Sequence, residues 1–369
     1  MNAHSNMTRA IRPPLARGLA HSFLAAAVVI ALAVPATALA DSAETSLEKY
    51  KQPVDEAVEK ALTYLAKAQN PDGSFPDDMG GCTAVTSLSV MAFLAKGHTP
   101  GRGPYGEAIN KGIDFVISTR QANGTMVSKG KGGGHGPMYN HTIATLMLSE
   151  VSGMVDPARQ KRIDAALPKA MQVILAAQAV TKPAPLQGGW RYQPNSADSD
   201  LSCSGWALMS LRSARNNGTD VPKGAIEDAL KFVASCRAAD GGYGYQPGGG
   251  ASLAMTSVAL LSMELCGLHR DKNAVAAGEW VLRHLPKTYG EGFFYYALYY
   301  SSQAMFQLGG EYWEKYAAHL YQMMLKYQQA DGSWPQGSGN EAPAGLCYST
   351  AMGVLAVSVS YRQLPIYQR

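Results

Sequence analysis

The chain lacks the residue patterns that identify several large protein classes. Its five cysteines are an odd number without a C-x-x-C pair, so they indicate neither a disulfide framework nor a zinc finger. Charged residues make up only 16% of the chain, and no basic stripe is present to follow phosphates, so a nucleic-acid partner is not expected. Beyond residue 40 there is no run of about 18 apolar residues, and no membrane span is expected there.

The first 40 residues differ from the remainder. A basic stretch, a short apolar run and an Ala-x-Ala site follow one another: Arg9, Arg12 and Arg17, then residues 23–34, then Ala38-Leu-Ala40. This order predicts a signal peptide over residues 1–40. Residues 41–369 are then exported, either to the periplasm or out of the cell. An uncleaved membrane anchor is the alternative, although the apolar run is shorter than the roughly 20 residues of a spanning helix. Without Arg9, Arg12 and Arg17 the chain has 29 Lys and Arg and 28 Asp and Glu, so the net charge of residues 41–369 is close to zero.

A Gly-rich aromatic turn recurs about every 50 residues, a period that is typical of stacked supersecondary units. The six turns lie at 69–75, 121–126, 187–192, 240–245, 289–294 and 329–334. Each turn follows an amphipathic segment and precedes a segment rich in Ala, Ser, Thr and Met. The pattern predicts an all-α fold, an (α/α)6 toroid in which six helix pairs close around a central cavity.

The two kinds of segment predict an outer and an inner layer of helices. Polar residues cover one face of the outer segments, whereas the inner segments are apolar on all sides and should be buried. Outer helices are predicted at 53–69, 106–121, 157–178, 222–237, 270–285 and 311–329, with Pro53, Pro157 and Pro222 at or beside helix starts. Inner helices are predicted at 82–96, 139–151, 202–215, 252–266, 295–308 and 346–360. All six inner N-termini should open on one rim, and the first and last repeats should meet.

The turn Gln328-Gln-Ala-Asp-Gly-Ser-Trp334 resembles the QW repeat of the prenyltransferase and squalene cyclase superfamily. The segments 138–146, 188–194 and 309–315 are similar to secreted repeat proteins of that superfamily from planctomycete-type bacteria. The resemblance implies the same toroid and a structural role for the turn residues, among them Asp72, Gly73, Phe75, Asp331, Gly332 and Trp334.

The segment Asp198-Ser-Asp200-Leu-Ser-Cys203 resembles the D-x-D-D-T-A acid motif of squalene–hopene-type cyclases. The resemblance implies that Asp200, with Asp198, protonates an alkene, but Leu201 stands where the third aspartate is expected. Such a donor must be a strong acid, whereas desolvation would weaken it. The alternative is a helix cap, in which Asp200 or Ser202 accepts a backbone N–H at the start of the third inner helix.

Zinc is the one cofactor that the sequence raises. Zinc-dependent protein prenyltransferases share the toroid, and the resemblance makes Asp200, Cys203 and His141 a conceivable ligand set. The spacing departs from their Asp-x-Cys motif by one residue, and a neutral, hydrogen-bonded His141 is the alternative.

Cys82 and Cys347 begin the first and last inner helices, which adjoin in a closed ring. A disulfide between them would stabilise the closure by about 2–4 kcal/mol. Two buried free thiols are the alternative.

Aromatic residues near the inner N-termini are candidates for the cavity wall: Trp190, Trp206, Tyr139, Tyr295, Tyr296 and Tyr348. Such rings stabilise carbocations by cation–π attraction, and they serve equally to bind a sugar or a neutral polycyclic lipid; ordinary packing between helices is the alternative. Together with the resemblance, they imply a small apolar or isoprenoid ligand. The chain is therefore interpreted as a terpene cyclase- or prenyltransferase-like protein that binds such a ligand, with acid-initiated cyclisation or isomerisation as its reaction if it is an enzyme.

Two other functions remain open. One is a non-catalytic binding or scaffolding toroid of the cell envelope. The other is a carbohydrate-active enzyme, which needs two rim carboxylates about 5–9.5 Å apart. The available carboxylates are Asp77, Asp78, Asp198, Asp200, Glu291 and Glu341. The sequence leaves the oligomeric state open.

Overall fold

The computed structural model describes residues 37–78, 83–128 and 136–368, with the backbone alone for residues 37–46. The chain divides into two compact units, Met1–Asp41 and Ser42–Arg369. Of the first unit only the start of one helix is described, so the predicted signal peptide lies almost entirely outside the described residues and stays a prediction. No helix in the described ranges is long and apolar enough to cross a membrane.

The second unit is built from outer and inner α-helices that alternate along the chain, which confirms the predicted (α/α)6 toroid. The outer helices are α1 (Thr37–Ala68), α3 (Gly106–Ser118), α5 (Pro157–Ala179), α7 (Lys223–Ser235), α9 (Lys272–Arg283) and α11 (Gly310–Tyr327). The inner helices are α2 (Thr83–Ala95), α4 (Pro137–Val151), α6 (Leu201–Asn216), α8 (Leu253–Leu265), α10 (Phe294–Leu308) and α12 (Gly345–Val357). Each inner helix packs on the next, and α12 packs on α2, so the inner ring is closed. Within the described residues, β-structure is limited to isolated bridges.

Sequence composition explains the two layers. Along the part of α1 whose side chains are described, Val54, Val58 and Leu62 are buried at helical spacing. Lys51 and Glu56, on the other face, are exposed. The inner helices bury nearly every residue, and their serine and threonine hydroxyls donate to the carbonyl four residues earlier, as Thr145 does to His141. These internal hydrogen bonds allow polar side chains to be buried between closely packed helices.

Prolines mark two of the three helix starts where they were expected. Pro157 is the first residue of α5, whose Asp156 cap accepts two backbone N–H groups, and Pro222 is the cap position of α7. The prediction for Pro53 was wrong, because α1 begins at Thr37 and contains this proline. Pro53 lies on the exposed side of the helix, where water can satisfy the carbonyl that loses its hydrogen bond.

A glutamine at the end of an outer helix ties its turn to the next outer helix. The side-chain amide of Gln69 donates to the Ala108 carbonyl at 2.9 Å, and Gln178 donates in the same way to Ala225 at 2.7 Å. Gln328 in the last turn donates to Ala57 of α1 at 2.7 Å, so the same bond closes the ring. A Cβ atom at position 332 would lie 2.4 Å from the Lys60 carbonyl oxygen, so a side chain does not fit there. The backbone φ of Gly332, +92°, also favours glycine.

The inner ring has one open and one filled end. At the filled end, near the C-termini of α4 and α10, the segment after α12 packs into the ring with Leu364, Ile366 and Tyr367 buried. The Glu150 carboxylate accepts the Ile366 N–H at 3.0 Å, and the hydroxyls of Tyr367 and Tyr299 lie 2.7 Å apart. At the opposite end the inner helices begin, and a cavity opens between them.

Candidate functional site

The cavity at the open end measures about 720 Å³ and is lined by the first turns of all six inner helices. One residue from each helix shows how the wall is made: Leu88, Ile143, Trp206, Met255, Tyr296 and Tyr348. The loop before α12, which includes Glu341, completes the rim. The repeat therefore places every inner N-terminus around one opening, as the sequence predicts.

Four of the six predicted aromatic residues line this cavity: Tyr139, Trp206, Tyr296 and Tyr348. Trp206 stacks on Tyr299 of α10 with ring centroids 5.3 Å apart, and Tyr296 meets it edge-on at 6.3 Å. The rings hold one another in place, so the wall is rigid as well as apolar.

The structure corrects the prediction for Trp190 and Tyr295, which do not line the cavity. The Trp190 indole is buried between helices and donates to the Ile174 carbonyl of the outer helix α5 at 2.7 Å. It is the aromatic residue of a turn, and Trp334 makes the same contact to Met324. Tyr295 donates its hydroxyl to Pro335 at 2.5 Å, because neighbours on a helix point in different directions and Tyr296 takes the cavity side.

Three hydroxyl groups form a polar cluster on the otherwise apolar wall. Tyr139 and Ser202 lie 2.7 Å apart, and Ser202 donates to Tyr296 at 2.9 Å. Tyr296 in turn donates to the Ser202 carbonyl at 3.2 Å. The cluster joins α4, α6 and α10 and presents hydroxyl oxygens to a ligand.

Glu341 is the carboxylate that the structure places at the cavity, and it is the only one of the six candidate rim carboxylates in the lining. One oxygen accepts the Tyr296 N–H at 2.8 Å and the Tyr348 hydroxyl at 3.0 Å, and the other accepts the Tyr295 N–H at 3.2 Å. Burial raises the pKa of Glu341 to about 7, and these hydrogen bonds limit the rise. Glu341 is one of the predicted rim carboxylates, but no local pattern distinguishes it from the others, because two of its three partners are backbone N–H groups of another helix.

Asp200 is the N-cap of α6. Its Oδ1 accepts the Cys203 N–H at 2.8 Å, and the side chain is fully buried without lining the cavity. Its Oδ2 lies 3.7 Å from Arg191 Nη1, and neither atom has a hydrogen bond of good geometry in the described part of the chain. Burial raises the pKa of Asp200 to about 6, while the Cys203 N–H, Arg191 and Tyr245 act in the opposite direction.

Arg191 links this buried carboxylate to the cavity wall. It lies 3.4 Å from the half-exposed Asp198 and stacks over the rings of Tyr192 and Tyr245, at 4.5 Å and 5.4 Å from the centroids. Both tyrosines line the cavity, and their hydroxyls are hydrogen-bonded to each other. Asp198 and Asp200 therefore sit behind two cavity tyrosines.

The predicted zinc ligands do not form a metal site. Both ring nitrogens of His141 are used by the backbone: Nδ1 accepts the Met126 N–H at 3.1 Å, and Nε2 donates to Ala170 at 3.0 Å. Burial lowers the pKa of His141 to about 4, which keeps the ring neutral. No group of three or more His, Cys, Asp or Glu residues in the described ranges could hold a metal ion.

The role of His141 follows from the repeat. In each of the other turns for which the bond is described, the N–H of the turn aromatic donates to a hydroxyl in the first turns of the inner helix. These acceptors are Thr86, Ser204, Thr256 and Thr350. His141 takes the same place in the second repeat, so an alignment of the repeats could have identified it as structural.

The proposed disulfide stays a prediction, since Cys82 lies outside the described residues. Cys347 is buried, and Cys203 and Cys236 are buried free thiols.

Comparisons with known proteins agree on the fold. The sequence model of the prenyltransferase alpha-alpha toroid domain matches residues 26–188 and 164–294. The drimenyl diphosphate synthase of Streptomyces showdoensis is 25% identical over 192 residues, which are 52% of this chain and 32% of that protein. The chain thus aligns with about a third of the length of that relative.

Solved structures of similar fold include enzymes of two kinds. The type II terpene cyclase MstE from Scytonema has a TM-score of 0.55 at 14% identity, covering 85% of this chain and all of that one. A variant of that cyclase is known in complex with merosterolic acid A, its product. The α-1,6-mannanase GH76A of Salegentibacter sp. HEL1_6 has a TM-score of 0.60 at 11% identity, covering 83% of this chain and 99% of that one. At these identities the likeness shows the fold alone.

Proposed function

Because the chain belongs to the prenyltransferase alpha-alpha toroid family, we propose that it binds an isoprenoid or another apolar ligand in its central cavity. The observation that carries the proposal is the 720 Å³ cavity, whose lining combines Trp206, Tyr296 and Tyr348 with aliphatic side chains. Transfer of an apolar molecule from water into such a wall is favourable. The described residues that line it include no lysine, arginine or histidine, which suits a ligand without a phosphate group at that wall.

Ligand binding is tested by native mass spectrometry of the intact protein and by titration with linear isoprenoids of increasing length. We expect a retained or added mass and a change in tryptophan fluorescence, since Trp206 lines the cavity. The variant Ala254→Trp fills the cavity and should abolish both signals. Ala176→Trp, at an exposed position of α5, is the matched control and should bind normally. A protein that binds none of these compounds, or an Ala254→Trp variant that still binds them, would contradict the proposal.

Acid-initiated cyclisation or isomerisation at Asp200 is the second candidate. Its support is the buried carboxyl group with a pKa of about 6, which is partly protonated at neutral pH. Two observations weigh against it: a raised pKa makes a weaker acid than alkene protonation needs, and Asp200 does not line the cavity. The reaction predicts cyclic products from a linear isoprenoid that disappear in Asp200→Asn but persist in Asp198→Asn. Binding without products in the unmodified protein would leave the non-catalytic toroid as the function.

A carbohydrate-active site has less support from the geometry. Only Glu341 of the candidate carboxylates lines the cavity, and its two oxygens already accept three hydrogen bonds. A second carboxyl group facing it is required for the usual glycosidase mechanism.

Export is proposed on the sequence of residues 1–40. The mature protein would begin at Asp41 and act in the periplasm or outside the cell. N-terminal sequencing of protein recovered from the periplasm tests this directly, and a chain that retains Met1 in the membrane fraction would favour the anchor.

A further inference from the structure

A second cavity lies at the filled end of the ring, between the C-terminal ends of α8 and α10 and the segment that follows α12. It measures about 550 Å³ and shares no lining residue with the central cavity. Phe306, Leu308 and Tyr367 supply apolar surface, and Arg270 and Arg362 supply two guanidinium groups. We name it the arginine groove.

The two arginines of the groove keep their charges available. Neither forms an ion pair with any Asp or Glu in the described ranges. Arg270 donates only to a neutral acceptor, the Leu308 carbonyl, at 3.3 Å, and Arg362 lies 5.1 Å over the Phe306 ring. His269 also lines the groove, and its Nδ1 is hydrogen-bonded to the Glu264 carboxylate at 2.5 Å.

The backbone holds both arginines in an unusual conformation. Arg270 and Arg362, with φ of +54° and +53°, are the non-glycine residues with left-handed φ among those described. Such backbone is unfavourable for a side-chain-bearing residue and is enriched at ligand sites. Glu264 fixes the first by accepting the Arg270 N–H at 3.3 Å, and Gln368 fixes the second by donating to the Arg362 carbonyl at 3.0 Å.

Helix ends of both signs meet at the groove. The C-termini of α8 and α10 are partly negative, but α9 and α11 begin beside them at Lys272 and Gly310 and are partly positive there. These partial charges offset one another. Two carboxylates lie near Arg270 without lining the groove: Glu264, which accepts the Arg270 N–H, and Glu311, whose pKa is lowered by Lys315 and by Arg270. The described lining itself carries the guanidinium groups of Arg270 and Arg362 and no Asp or Glu.

We propose that the arginine groove binds a small soluble oxyanion, a carboxylate or a phosphate, between Arg270 and Arg362. Guanidinium groups match the planar, two-oxygen edge of such anions. Phe306 and Tyr367 would contact the apolar part of an organic anion. The site is independent of the ligand in the central cavity, and either proposal can fail without the other.

Isothermal titration calorimetry of the full chain with inorganic phosphate and, separately, with succinate tests the groove. Ionic strength is held constant with sodium chloride, because phosphate also stabilises proteins without binding them. We expect saturable one-site binding of at least one anion, and the anion that binds shows which oxyanion class the groove prefers. No saturable binding of either would overturn the proposal.

Glycine variants separate binding from folding. Arg270→Gly and Arg362→Gly remove the guanidinium while matching the left-handed backbone, so their melting temperatures should not fall. Each should weaken anion binding at least tenfold. Arg283→Gln is the control, since Arg283 is exposed on α9 outside the groove and carries the same charge. Equal weakening in the control, or glycine variants that melt earlier yet bind unchanged, would show that the arginines act through bulk charge or structure instead.

Discussion

The two ends of the inner ring differ although the same six helices form both. At the open end the first turns of the helices leave a cavity of about 720 Å³ lined by Trp206 and Tyr296. At the other end Ile366 and Tyr367, from a segment outside the repeat, occupy the space between the helices. The repeat therefore generates a ring with an opening at each end, and a non-repeated segment determines which opening leads into the central cavity.

The buried carboxyl groups of Asp200 and Glu150 differ in the range of their hydrogen bonds. At the open end Asp200 accepts an N–H three residues away and caps its own helix. At the filled end Glu150 accepts an N–H from a residue 216 positions away and holds the terminal segment in the ring. Asp200 therefore stabilises its own helix, whereas Glu150 makes the terminal segment part of the core. Long-range bonds at the open end come from Glu341, which accepts the N–H groups of Tyr295 and Tyr296.

The largest expected loss of folding stability comes from truncating a buried side chain at the filled end. Tyr367→Ala removes a buried ring and its hydrogen bond to Tyr299, and it should lower the free energy of unfolding by about 3–4 kcal/mol. Tyr139→Ala at the open end should cost less than about 2 kcal/mol, because that ring already borders a cavity. Chemical denaturation of both variants measures the difference. Equal losses would show that the open end is packed as tightly as the filled one.

A second test uses pH. Burial raises the pKa of Glu150 to about 7 from its ordinary 4.5, so the folded protein binds this proton more tightly than the unfolded chain. Stability should therefore fall as pH rises from about 4.5 to 7, by up to about 3 kcal/mol from this group. Glu150→Gln should flatten that part of the profile and melt higher at pH 8.

Glu341→Gln, the matched variant at the open end, should flatten the same pH range, since the pKa of Glu341 is also raised to about 7. The two ends then differ in ligand binding, which only the Glu341 variant should change. If Glu150→Gln leaves the pH profile as steep as before, the buried charge of Glu150 is not a determinant of stability.

The architecture could be predicted from sequence because its determinants are local and repeated six times. Outer and inner helices differ in composition, and four of the six turns carry a glycine at which a side chain would meet the backbone of the next outer helix: Gly73, Gly124, Gly188 and Gly332. The main departure was α1, where Pro53 was taken as a start signal although a proline on an exposed helix face can be tolerated.

The cavity wall was predicted only in part, because which side of a helix faces the ring axis depends on its rotation. Tyr296 and Tyr295 are neighbours with equal propensities, yet only Tyr296 reaches the cavity. His141 was considered both as a zinc ligand and as a neutral, hydrogen-bonded ring, and it is hydrogen-bonded to the backbone at a position where the other repeats carry Ser or Thr. Glu341 and the C-terminal segment act through long-range contacts that no local pattern encodes.

The smallest expected effect on folding stability comes from Asp200, and it tests whether this residue acts as a helix cap or as the ion-pair partner of Arg191. Asp200→Ala leaves the Cys203 N–H without its acceptor and should cost about 1 kcal/mol of folding stability. Asp200→Asn keeps an acceptor oxygen while removing the charge, so chemical denaturation at pH 7 should find it within about 0.5 kcal/mol of the unmodified protein. An asparagine variant as unstable as the alanine one would mean that Arg191 needs the charge of Asp200, and that the carboxylate contributes as an ion pair more than as a cap.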